Sequence, residues 1–175
     1  MNIFFLNQNP SLAAKDLCNV HVVKMITESL QMLTTATIRH GVKESQLPLT
    51  KKGTPVKKTH ENHPSTVWAG NTRSNYDWLC EHAMTMCQEY TKAYKKTHFC
   101  EKGIYTLSSL NYLIPDGPLQ EFAVAISDHM NCRQLPDFNM MSVVDKYRNY
   151  YKLDKPFAKW THGRQQPEWI NSYPL

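Results

Sequence analysis

Apolar residues recur at alternating steps of three and four through Val23, Ile26, Leu30, Leu33 and Thr37. They sit in a run from about Ser11 to His40 that holds neither glycine nor proline. This pattern predicts one long amphipathic helix, opened at Pro10-Ser11 and stopped at Gly41 after Arg39-His40. Residues 41–64 lose the period. They hold Pro48, Gly53, Pro55 and Pro64 among Lys43, Lys51, Lys52, Lys57 and Lys58, and read as an exposed basic loop, either a solvated connector or a contact for a polyanion. A second helix is expected from about Ser74 to His98, with Tyr76, Leu79, Ala83, Met86, Tyr90 and Ala93 as its buried stripe. Pro115, Gly117, Pro118 and Pro136 leave room only for a short helix near Leu119 to Asp128, and Met140 to Leu153 reads as the last helix. The tail, 154–175, reads as irregular, but Trp160, Trp169 and Tyr173 make it too aromatic to be an idle end. At the other end, Met1 to Leu6 is expected to be a short buried strand or an extended arm.

These elements predict a mostly α fold: residues 1–175 as one compact single-domain helical bundle with a short N-terminal extended segment. The length suits one core. The 41% apolar and 20% charged residues are the balance of a globular chain. The opening apolar run lacks the basic flank of a signal peptide and the length of a membrane span, so a soluble cytoplasmic protein is expected, in the host cytoplasm if phage-encoded. Five cysteines, Cys18, Cys80, Cys87, Cys100 and Cys132, show no C-x-x-C spacing. Cys80 and Cys87 stand two helical turns apart, roughly 10 Å, too far to bridge. Reduced core thiols follow. Twenty Lys plus Arg against fifteen Asp plus Glu give a net charge of +5, a modest excess that suits a polyanionic partner.

On the first helix His21, Lys24, Glu28, Gln31 and Thr35 also step by three and four, opposite the apolar stripe, so an imidazole, an amine and an acid share one face. A partly shielded glutamate there could move protons; equally, Lys24 and Glu28 could be a surface i,i+4 pair. The second helix carries its own polar line, Asn75, Trp78, His82, Thr85 and Glu89. If the two polar faces converge they form a cleft. His60-Glu61-Asn62-His63 lacks a third ligand at a recognised zinc spacing, so no metal is expected. Near the C-terminus Lys146-Tyr147-Arg148-Asn149-Tyr150-Tyr151-Lys152, then Lys159-Trp160 and Arg164, interleave cations with aromatics. Such a mixture suits phosphate contacts with base stacking, and also an ordinary amphipathic helix with Tyr147 and Tyr151 inward.

Four segments resemble, in order, the phage pyrimidine-dimer DNA glycosylases of the endonuclease V type. They are His21 with Glu28 seven residues on, Pro64 through Tyr76-Asp77-Trp78-Leu79, Ala123-Val124-Ala125-Ile126-Ser127, and Tyr147 through Lys152. The His-Val-Val-Lys-Met segment at 21–25 is similar to one in an uncharacterised group of phage proteins. The resemblance implies a helical enzyme in which Glu28 assists formation and breakdown of a Schiff base between a sugar C1′ and the protein's own α-amine, with His21 beside the site. It also implies a duplex DNA partner that is bent, with a base out of the stack.

Two features depart from the family. Its nucleophile needs removal of the initiator methionine before a small residue, whereas Asn2 is bulky and should leave Met1 in place; the arginines near its glutamate are thinned to Lys24. The imine could then form on the Met1 amine or on Lys24, or Glu28 could activate water in a monofunctional glycosylase. The resulting expectation is a monomeric, metal- and cofactor-free base-excision enzyme for a damaged or modified pyrimidine. Glu28, His21, Lys24 and Met1 are its candidate catalytic residues. Lys51, Lys52, Lys57, Lys58, His63, Arg73, Asn75 and Trp78 are expected to bind DNA, as are Lys146, Arg148, Tyr150, Lys152, Lys159, Trp160 and Arg164. The alternatives are a non-catalytic phage DNA-binding or host-interaction protein and an enzyme modifying pyrimidines in phage DNA.

Overall fold

The long glycine-free run folds as two helices, not one. In the computed structural model, which describes residues 1–172, α1 spans Pro10–Asp16 and α2 spans Asn19–Arg39. Asn9 caps α1 by accepting from Leu12 N, and the chain then turns extended at Leu17 and Cys18. The first amide of α2, Asn19 N, donates 2.9 Å to the Lys159 carbonyl, so a distant tail segment takes over a hydrogen bond that a continuous helix would have made internally. The end of α2 is as expected: Gly41 follows with φ +80°, a conformation glycine adopts without strain.

The remaining helices are α3 (Pro64–Ala69), α4 (Arg73–Tyr94), α5 (Glu101–Ser108) and α6 (Val143–Asp154), and no strand forms among the described residues. Helix α2 packs against α3, α4 and α5, while α4 also lies along α1. Burial around α2 is therefore much wider than a stripe. His21, Ser29, Thr34, Thr35 and Thr37 are buried, whereas Val23, expected inside, is exposed. Helix α4 is likewise buried on two sides, and the polar line expected to face a cleft is covered: Asn75, Trp78, His82 and Thr85 are all buried, with Asn75 bonded to Trp68 O and Gln120, Trp78 Nε1 donating to Gln8 O, and His82 and Thr85 meeting Pro10 and Ser11 of α1. The helix ends at Tyr94, before the expected His98, at a left-handed Lys95.

The helix expected near Leu119 to Asp128 does not form. Side chains instead satisfy its backbone: Gln120 N donates to Asn75 Oδ1, Ala125 N to Tyr147 Oη, and the Ile126 carbonyl accepts from Arg133. Phe122 from this extended stretch stacks on Phe5, ring centroids 4.2 Å apart. Segment 41–64 is the exposed basic loop expected, with a 3-10 turn at Glu44–Gln46 and a single bridge between Leu49 and Pro55. The tail beyond Asp154 is irregular but anchored, since Trp160 and Trp169 both donate to Asp16; Tyr173 lies outside the described residues. All five cysteines are free and buried.

The centre of the molecule is the extended arm Ile3 to Leu6, all four residues buried. Phe5 touches Trp68, Trp78, Phe122 and Tyr147, and Phe4 stacks on His21 and meets Tyr147, Tyr150 and Tyr151.

Burial holds the imidazoles of His21 and His82 down at about 4, against an ordinary value of 6.5. Nearby Lys155 and Lys24 add to the effect at His21, while the hydrogen bond to Pro10 O opposes it at His82. An unfolded chain takes up these protons first, so their contribution is fully present above pH 6.5 and is lost as pH falls toward about 4. The urea midpoint should drop across that window, and His82→Asn should make the drop shallower. An unchanged slope in the variant would exclude His82 as a source of the acid sensitivity.

Candidate active site

Glu28 lies midway along α2, where Lys24, Gln31 and Thr35 share its face. Its side chain is only 12% exposed, and three nitrogens converge on it: the Met1 α-ammonium at 3.7 Å from Oε2, the Asn2 amide donating to Oε2 at 2.9 Å, and Lys24 Nζ at 3.3 Å from Oε1. Lys24 remains 65% exposed, so it reaches the carboxylate from solvent, while the two chain-end nitrogens reach it from inside the fold.

The chain end is fixed by its own side chains. Met1 is buried at its side chain, and its Sδ accepts from Thr66 Oγ1 at 3.2 Å, within the first turn of α3. Asn2 Nδ2 donates to the Ala125 carbonyl. His63 caps α3, its Nδ1 accepting from Ser65 N, so the proton of the neutral ring sits on Nε2. Burial, then the positive charge of the Met1 amino group, then His60 lower its pKa; Glu28 pulls the other way. His63 thus belongs electrically to the Glu28 cluster.

Two hollows flank the Glu28 face. One, of about 300 Å³, is lined by Thr27 and Gln31 with Lys51, Phe99 and Cys100; the other, of about 180 Å³, by Thr35, Lys58, Glu61 and Thr66. The basic loop is tied between them, because Thr35 Oγ1 accepts from Thr59 N. Lys51, Lys52, Lys57 and Lys58 are exposed; Lys51 lines the larger hollow and rests on the exposed Phe99 ring, and Lys58, paired with Glu61, lines the smaller.

His21 is not part of this cluster. It stands two turns from Glu28 on α2, bonded through Nδ1 to the Tyr151 hydroxyl and stacked on Phe4; the arm and α6 cover the helix side that spacing alone left open. Asn75, Trp78, Tyr150 and Arg164, expected to face DNA, are likewise buried. Asn75 ties α4 to Trp68 O and Gln120, Trp78 is core, and Tyr150 lies under Phe4 with Lys155 over its ring. Arg164 is buried in an ion pair with Glu89 and donates to Lys15 O and Asn19. Three further cations of the C-terminal region also have partners: Arg148 binds Leu6 O and lies over Trp169, Lys146 meets Asn139 O, and Lys152 meets Ser172. Arg73 pairs with Asp116 at 3.6 Å, Trp160 packs at α1, and Lys159 is exposed.

Residues 1–102 match the family model of the pyrimidine dimer DNA glycosylases. The chain belongs to that family. No curated protein and no solved structure matches it. The matched region holds Met1, Asn2, Lys24, Glu28, His63 and Thr66, whereas Ala125, which holds Asn2, lies beyond it. Sequence reasoning missed Thr66, Ala125 and the Asn2 side chain as parts of the cluster, since spacing along a helix carries no signal for what a chain end touches.

The corrected residues should be needed for stability. Asn75→Ala strands buried backbone partners and Arg164→Ala leaves Glu89 without its cation, so each should lower the unfolding free energy by about 3 kcal/mol. Urea melts measure this; a loss below about 1 kcal/mol would leave these side chains free for another role.

Proposed function

We propose that this protein is a DNA N-glycosylase acting on a damaged or modified pyrimidine, with the Met1 α-amine as nucleophile and Glu28 as its acid–base partner. The observation that carries this reading is the 3.7 Å approach of the Met1 nitrogen to Glu28. In the neutral form, the amine attacks C1′ of the target nucleotide; the glycosidic bond breaks, and the base leaves with its electron pair and takes up a proton. The nitrogen gives up a proton toward the carboxylate. Glu28 returns a proton to the ring oxygen as the sugar opens, and the nitrogen lone pair completes the C1′ imine. Water then releases the enzyme, or β-elimination cuts the strand first. Lys24 has the geometry to steady the carboxylate. Met1 is favoured over Lys24 as nucleophile because its amine is held against Glu28 from inside the fold, whereas Lys24 reaches the carboxylate from solvent on a 65% exposed side chain.

On this reading duplex DNA lies across the two hollows, bent so that the target nucleotide leaves the stack, with the exposed loop lysines on its phosphates and His63 beside the amine. Lysines that each neutralise one phosphate should each contribute about 0.9 to the slope of log K against log salt. Lys51→Ala, Lys52→Ala and Lys57→Ala together should flatten that slope by about 2 to 3, measured by fluorescence anisotropy; an unchanged slope removes the loop from the interface.

The chemistry is tested by borohydride trapping on duplexes carrying a pyrimidine dimer, an abasic site or a modified pyrimidine, read by intact mass and peptide mapping. An adduct at Met1 is expected, and Glu28→Gln should slow its formation by about a hundredfold or more. An adduct at Lys24 would reassign the nucleophile. Base release without any adduct would assign the reaction to water activated by Glu28.

A further inference from the structure

The family match ends at residue 102, but the chain end that carries the amine is held from beyond it. Tyr147, on α6, is fully buried, and its hydroxyl lies 2.9 Å from Asn2 Oδ1, 3.1 Å from the Ala123 carbonyl and 2.9 Å from the Ala125 amide that donates to it. The same Ala125 accepts from Asn2 Nδ2 through its carbonyl at 3.0 Å. Both ends of the Asn2 amide are therefore taken, one by α6 and one by the extended stretch, while its backbone N–H is taken by Glu28. Burial raises the Tyr147 hydroxyl well above its ordinary value, so it stays protonated and able to donate.

Chain termini are usually frayed, with little to hold them. Here residue 2 has a fixed side chain and a fixed backbone nitrogen, and the next nitrogen along the chain is the amine itself, one residue away. Rotation about the bonds of residues 1 and 2 is what would carry that amine off the carboxylate, and the Asn2 contacts oppose it. The Met1 thioether on Thr66 opposes it from the other side.

We infer that Tyr147 and Asn2 form a positioning clamp that sets the Met1 amine against Glu28, so that the nucleophile's geometry is controlled by α6 and by the 123–125 stretch. This inference rests on the amine chemistry proposed above. Neither residue need touch the substrate. Asn2 is a positioning residue by its two amide contacts, and Tyr147 acts through Asn2.

The test is the single-turnover rate of borohydride-trapped adduct at Met1, at saturating abasic-site duplex, for wild type, Tyr147→Phe, Asn2→Asp and the double variant. Tyr147→Phe keeps the ring and removes only the hydroxyl; Asn2→Asp keeps the shape and removes the donor to Ala125. A misplacement of about 1 Å can cost a hundredfold in rate. Each single variant should therefore trap some ten- to a hundredfold more slowly with DNA affinity unchanged, and the double variant no more slowly than the worse single one. Tyr76→Phe is the control for stability alone: it loses another buried tyrosine hydroxyl bond, to Leu107 O, which involves none of Met1, Asn2, Ala125 and Glu28. It should lower the unfolding midpoint and leave the trapping rate at wild type. Trapping within twofold of wild type in both single variants, with wild type forming its Met1 adduct, overturns the clamp alone. Equal slowing by Tyr76→Phe overturns it too, because the effect would then be one of general stability. A wild-type protein that forms no Met1 adduct overturns the amine chemistry, and the clamp's role falls with it.

Discussion

Ile3 to Leu6 cross the middle of the molecule as an extended segment that pairs with no strand among the described residues. Their energetic return is the burial of two phenylalanine rings among aromatic partners supplied by α2, α3, α4, α6 and the stretch around Phe122. The arm fixes how the helices are spaced and also determines where the chain end emerges, which is against the flank of α2 at Glu28. Core packing and site geometry are thus one constraint. A core substitution at Phe4 or Phe5 would act on the site as directly as one beside the carboxylate.

Glu28 itself is poised between two kinds of neighbour. Lys24 approaches from solvent on a long side chain and is free to leave, whereas the nitrogens of Met1 and Asn2 are delivered by the buried arm. A carboxylate with one mobile and one fixed set of partners can exchange the mobile one for substrate without losing its orientation. On the proposed reading the fixed set is the preorganised part of the site, and its cost is met by folding before any ligand arrives.

The helical class, the basic loop, the arm and the Glu28–Lys24 pairing could all be read from spacing. The break between α1 and α2 could not, because Leu17 and Cys18 are ordinary residues and the bond that rewards the break comes from Lys159, about 140 positions away. The same non-local logic hides the extended course of residues 119–127, whose amides and carbonyls are served by Asn75, Tyr147, Asn2 and Arg133. Periodicity also ranked polar residues as outward. In this protein α2 and α4 are covered on more than one side, so His21, Asn75 and His82 became buried, hydrogen-bonded groups. In the aromatic-basic C-terminal segment Tyr147 and Tyr151 face inward, as helical spacing allowed, and Tyr150, expected outside, joins them as a packing residue for the arm.

The seating of the arm on α6 has a consequence for biosynthesis. Residues 2 to 5 leave the ribosome well before Phe122 and Tyr147, against which they close and which are made on the order of ten seconds later at ordinary translation rates. Until then the arm has only half of its partners, and its rings have no complete apolar enclosure. The nascent chain can form α2 and α4 early, since their contacts are largely within the matched first hundred residues. It cannot complete the surroundings of Glu28. Residues 2 to 5 are thus locked in place only once α6 is made, and a chain cut short before α6 would hold its first helices without the completed surroundings of Glu28.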